Sequence, residues 1–121
     1  MEQPMFVGIN PSNQKAGPRC TTTRRMTTWS KQLGLEGFTI INCIKKRGAY
    51  SMSDVDLDAL ASELREHRTL IALGSFPSKV LNKINREHHR LPHPSGLNRL
   101  LNDKVFEDRT IADCKKFLEN T

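Results

Sequence analysis

The chain has 121 residues, of which 36% are hydrophobic and 26% charged, and its formal net charge is +6. That length supports a single domain, residues 1–121, with one core and little room for a second. No apolar run approaches the roughly 20 residues of a membrane helix, so no membrane partner is expected.

Met1-Glu2-Gln3-Pro4 has neither the basic nor the apolar region of a signal peptide. An intracellular location, cytoplasmic or nucleoid-associated, is therefore expected, and secretion is not. Met5-Phe6-Val7-Gly8-Ile9 is an apolar run closed by Asn10-Pro11-Ser12, and predicts a buried strand ending in a turn. Residues 13–23 are polar, contain Gly17-Pro18, and read as a loop. Met26, Trp29 and Leu33 then recur at helical spacing from Arg24 to Leu33, with Thr21, Thr22 and Thr23 as N-cap candidates and Gly34 as a C-cap. Phe38-Thr39-Ile40-Ile41 predicts a second strand, stopping at Asn42, and a basic loop runs on through Gly48-Ala49-Tyr50.

Ser53-Asp54-Val55-Asp56 opens the clearest helix, with acids in its first turn, where the macrodipole favours them. Val55, Leu57, Leu60, Ala61 and Leu64 give it an apolar face, and it ends near His67. Thr69-Leu70-Ile71-Ala72-Leu73 is a third strand, halted by Gly74-Ser75. Pro77 suits the first position of the next helix, with Val80, Leu81 and Ile84 inward. His89-Arg90-Leu91 is a short fourth strand; Leu97 to Asn102 predicts a turn of helix and Ile111 to Leu118 a final helix. Strand runs that are apolar rather than alternating suit a parallel sheet covered on both faces. The expected fold is a three-layer α/β/α sandwich around a central parallel sheet of about four strands.

Cys20, Cys43 and Cys114 are odd in number and far apart, which argues against a disulfide framework or a four-cysteine metal site. His88-His89 is no better a metal pair, since adjacent strand residues diverge. Neither metal nor cofactor is expected. The positive charge is clustered: Lys15, Arg19, Arg24, Arg25 and Lys31 form one block, Lys45-Lys46-Arg47 a second, and Lys79, Lys83, Arg86 and Arg90 a third. Acids gather instead in residues 54–66 and 103–113. This asymmetry favours a polyanionic partner, most commonly nucleic acid.

The chemistry gathers where strands end. Ligands of an open parallel sheet bind beyond the carboxyl ends of its strands, and here those ends carry Asn10 and Ser12, Asn42, Gly74-Ser75, and Pro92-His93-Pro94-Ser95. His93 between two prolines lies on a stiff loop, since proline fixes φ and biases its predecessor toward extended backbone. No carboxylate is among these residues, so the site must work by hydrogen-bond donation and positioning. There is no P-loop, dinucleotide fingerprint or Ser–His–Asp spacing.

Taken together, in order from Phe6 to about Leu101, these stretches resemble the uracil-DNA glycosylase superfamily. Gly8-Ile9-Asn10-Pro11 resembles the water-positioning motif in its asparagine form, and Phe38 to Asn42 the strand whose terminal asparagine reads the uracil edge. Leu73-Gly74-Ser75 resembles the phosphate-pinching Gly-Ser loop. The segment from His89 to Leu97 resembles the histidine and leucine-wedge loop. The resemblance implies a monofunctional glycosylase that flips uracil, or a 5-substituted uracil, out of DNA and leaves an abasic site.

Asn10 and His93 would be catalytic, Ile9, Ser12 and Asn42 base-binding, and Gly74, Ser75, Ser95, Leu97 and Arg99 DNA-binding. The family's most active branch has aspartate in place of Asn10 and tyrosine in place of Ser12, which implies modest turnover and room for 5-substituted bases. No aromatic stands in residues 17–20 to stack the flipped base; Trp29 or Arg19 would have to serve, though the spacing of Trp29 suits the core. The alternative is a catalytically weak or inactive module of the same fold that binds DNA or a protein partner. A monomer is expected.

Overall fold

The computed structural model describes residues 3–10, 21–46, 51–94 and 99–120. Strands β1 (Met5–Gly8), β2 (Ile40–Asn42), β3 (Leu70–Leu73) and β4 (His89–Leu91) alternate with helices α1 (Thr21–Gln32), α2 (Leu57–Leu64), α3 (Ser75–Lys83) and α4 (Lys104–Glu119). The strands form one parallel sheet in the order β2-β1-β3-β4.

Side chains alternate across a strand, so neighbours in sequence face opposite layers. Phe6, Ile71, Leu73 and Leu91 face one cluster, completed by Met26, Trp29 and Leu33 of α1 and Ile111, Cys114 and Leu118 of α4. Val7, Leu70 and Ala72 face the other, with Leu60 and Leu64 of α2 and Val80 and Leu81 of α3. The molecule is thus the expected α/β/α sandwich. Right-handed crossovers explain the layering: β1 to β2 moves one way across the sheet, while β2 to β3 and β3 to β4 move the other. α1 therefore lies on the face opposite α2 and α3, and α4 returns to cover the α1 side.

Several element boundaries differ from the sequence reading. α1 begins at Thr21, so the threonines are helical rather than caps. Thr27 and Thr28 are held within it by donating their hydroxyls to the carbonyls of Thr23 and Arg24, at 2.8 and 3.1 Å. β2 starts at Ile40 and includes Asn42, and its pairing runs on as Cys43 and Ile44 donate to the carbonyls of Gly8 and Ile9.

The expected single helix from Ser53 divides in two. Asp54 accepts from the Ser51 N–H and Ser51 Oγ from the Ser53 N–H, closing a separate 3-10 turn, Met52–Asp54. Asp56 Oδ1 accepts from the Ala59 N–H at 3.0 Å and starts α2. Gly74 caps α3, which moves Pro77 from the first helical position to the third; its missing N–H costs nothing there, because first-turn donors lack intrahelical acceptors. α4 is twice the expected length, because Asp103 Oδ1 accepts from the Val105 and Phe106 N–H groups and starts it at Lys104. Of the helical turn expected over Leu97 to Asn102, Arg99–Asn102 form a 3-10 turn, and Leu97 and Asn98 lie outside the described residues. No described helix is long and apolar enough to cross a membrane.

Candidate functional site

Between β1 and β3 the chain changes direction: β1 leads to β2 on one side, β3 to β4 on the other. The connections leaving the carboxyl ends of these two strands diverge, and such switch points form ligand crevices. All four strands are parallel, so Asn42, Asn10, Gly74-Ser75 and His93 follow one edge in that order, set by strand neighbours spaced about 4.8 Å apart. The sheet sets Asn10, Asn42, Gly74, Ser75 and His93, with Ile9, along this one edge. Ser12, Ser95 and Leu97 lie outside the described residues, as does Arg19, and Arg99 begins the 3-10 turn that follows the loop.

Asn42 is fixed by what Gly8 lacks. The two residues are register partners across β1 and β2. A methyl group on Gly8 would lie 2.7 Å from Asn42 Oδ1 and 3.1 Å from Ile40 Cγ2. The carboxamide therefore lies over bare backbone, which only glycine leaves open. Asn42 is half-buried, and its planar amide offers two donors and an acceptor at the crevice.

His93 is held by a second glycine. Gly74 has φ +107° and ψ −177°, a conformation nearly exclusive to glycine, and its N–H donates to Leu91 O at 2.8 Å. This bond extends the β3–β4 ladder just past the strand ends and places His93 against the Gly74 Cα. Burial pushes the His93 imidazole below its ordinary value of 6.5, which favours its neutral form. A neutral imidazole still donates one N–H.

Sequence reading missed what holds this loop from outside. Arg25 on α1 donates through Nη1 to Pro94 O at 3.2 Å, and its Nε lies 3.4 Å from Glu107 Oε2 on α4. One guanidinium thus ties α1 and α4 to the residue after His93. In sequence, Arg25 stood only as one charge in a basic block; nothing local distinguishes it from Arg24, which is exposed.

Other expectations are reassigned. Trp29 is 1% exposed in the α1-side core, so it offers no platform for a flipped base. Ser75 is the first residue of α3; its cap, Gly74, supplies no side-chain acceptor, so the helix start keeps N–H groups turned to the crevice edge. The basic clusters are partly paired within the protein. Lys45 pairs with Glu63 at 2.8 Å, and Arg86 donates to the carbonyls of Leu64, the last residue of α2, and of His67 beyond it. Among the described residues, no group of three His, Cys, Asp or Glu side chains is placed to hold a metal. Compared with family models, curated proteins and solved structures, the chain returns no match.

Proposed function

We propose that this chain is a monofunctional DNA glycosylase that excises uracil, or a 5-substituted uracil, by hydrolysing the N-glycosidic bond. The observation that carries the reading is the shared edge: two amides, a Gly-Ser helix start and a neutral imidazole flank one switch-point crevice. A duplex hides the glycosidic bond, so the base must be flipped out at a cost of about a few kcal/mol. Asn42 can accept from N3–H and donate to O4 of uracil, a pattern that cytosine reverses. As the bond breaks, negative charge grows on O2, and a donor aimed there supplies the largest catalytic effect. His93 can fill that role in its neutral form, because a neutral imidazole keeps one N–H to donate.

Asn10 would orient the attacking water, and an amide cannot take its proton, which fits modest turnover. Ser75 and the α3 N–H groups suit a backbone phosphate. In this reading DNA is the partner. The buried Trp29 favours a second reading, a DNA-binding module without catalysis, since it removes the tryptophan that the sequence offered as a stacking platform.

The test uses end-labelled oligonucleotides carrying U in single strand, U:G, U:A, T:G or 5-hydroxymethylU:G, followed by hot alkali. Strand cleavage abolished by His93→Ala supports the enzyme, and Asn42→Asp then shifts preference toward cytosine. Salt-sensitive DNA binding with no cleavage of any substrate supports the module.

A further inference from the structure

A second constellation lies at the opposite edge of the sheet. Segments leading into parallel strands gather at the amino edge, and residues 86–88 lead into β4 there. Ser78 Oγ on α3 is 2.7 Å from His88 Nε2, and His88 Nδ1 is 2.9 Å from the carbonyl oxygen of Arg86. A carbonyl only accepts, so Nδ1 carries the ring proton and donates it. With one ring proton, the imidazole then has its lone pair on Nε2, where the Ser78 hydroxyl can donate. This is the nucleophile, base and orienter arrangement of covalent catalysis, with a peptide carbonyl as orienter.

The orienter is itself anchored, since the Arg86 guanidinium is bound to the carbonyls of Leu64 and His67. Ser78 and His88 line an open cavity of about 680 Å³ together with Asn82, Arg90 and Phe117. Asn82 follows Ser78 by one helical turn, which places both on one face of α3. Its amide is a neutral donor of the kind that stabilises an oxyanion. Arg86 and Arg90 against Glu87 leave the lining net positive, and Phe117, its ring 5.1 Å from that of His89, gives it an apolar wall.

We infer that Ser78 is an activated nucleophile and that this cavity hydrolyses small esters whose acyl group carries a negative charge. Ser78 Oγ attacks the acyl carbon and its proton passes to His88 Nε2. The ester C–O bond breaks, and the alcohol leaves with that proton. Water then adds to the acyl-serine, His88 takes its proton and returns it to Ser78 Oγ, and the carboxylic acid departs. The site uses none of the residues of the carboxyl-edge crevice, so it stands whether or not the chain excises bases.

The experiment treats the full chain with a fluorophosphonate probe, which loses fluoride as Ser Oγ bonds to phosphorus, and locates the adduct by peptide mass spectrometry. Labelling is expected on Ser78, absent in Ser78→Ala, and slowed at least about 100-fold in His88→Asn, which keeps a donor for the Arg86 carbonyl but removes the base. Turnover of p-nitrophenyl hemisuccinate should exceed that of p-nitrophenyl acetate, and Arg90→Met should erase the preference. Nitrogen-15 NMR of the folded wild type should show the proton on Nδ1 of His88. A proton on Nε2, an adduct elsewhere, or equal labelling of wild type and His88→Asn would each overturn the assignment and leave the Ser78–His88 bond a structural tie.

Discussion

Gly74 and His93 are packed Cα against side chain: a methyl group at position 74 would lie 3.4 Å from His93 Cβ and 3.8 Å from its Cα and Cδ2. The fit is permitted by the φ of +107° at Gly74, which no L side chain adopts without strain. The bend that ends β3 thus seats the imidazole that follows β4. A substitution at one acts on the other.

Gly74→Ala should therefore lose stability through backbone strain of about 1–3 kcal/mol. Urea denaturation would measure it. A loss below about 0.5 kcal/mol would mean that the backbone at 74 relaxes freely, and that the seat of His93 is not fixed by glycine.

Gly8→Ala separates positioning from stability. Alanine costs a strand less backbone entropy than glycine, but its methyl would occupy the 2.7 Å approach of Asn42 Oδ1. The carboxamide must swing away, so its side-chain amide resonances should move while the midpoint of unfolding changes little. If the protein excises uracil, misplacing a reading group by about 1 Å should cost on the order of 100-fold in kcat/KM.

Arg25 and Glu107 should couple. Their side chains are 21% and 14% exposed, so the pair is more shielded than a surface ion pair. A double-mutant cycle with Arg25→Met and Glu107→Gln should return about 1 kcal/mol, between the surface value and that of a hydrogen bond to a charged group. Arg25→Lys should not rescue it, because an ammonium lacks the planar fork that reaches Pro94 O and Glu107 together. Faster amide exchange at His93 in Arg25→Met would show that the clamp steadies the loop.

Mild acid should destabilise the fold. Burial holds both His93 and His89 below 6.5, with Asp113 opposing and His88 adding to the effect at His89. Below pH 6.5 the unfolded chain takes up protons that the native imidazoles resist. Stability present above that pH is therefore lost as pH falls toward the lowered native values. The urea midpoint should be lower at pH 5.5 than at 7.5, and the gap should narrow in His93→Gln.

Cys43 and Cys114 should be inert while the protein is folded. Burial pushes both thiols up to about 12, against which Lys45 acts only partly at Cys43. Since the thiolate is the reactive form, iodoacetamide should modify neither in the native state and both in urea, as read by peptide mass.

The sequence by itself determined the alternation of strands and helices, the parallel sheet, its two-sided burial, and the identity of the polar residues at the strand ends. These are local properties: apolar runs, turn residues and caps act within about a turn of the residues that carry them. It misjudged boundaries where two local signals competed, as at Ser51 and Asp56, or where a charged segment concealed a capped helix, as at Asp103. Only the tertiary structure decided the strand order and, with it, which ends meet at the crevice.

The same holds for every contact across distant segments. Arg25 and Pro94 stand 69 positions apart and meet because α1 and the loop after β4 share one side of the sheet. Ser78 and His88 meet because the end of α3 turns back into β4. The absence of a side chain at Gly8 acquires meaning only when β2 lies beside it. A side chain's chemistry is written in its residue; its partner depends on the path of the chain, which no local pattern encodes.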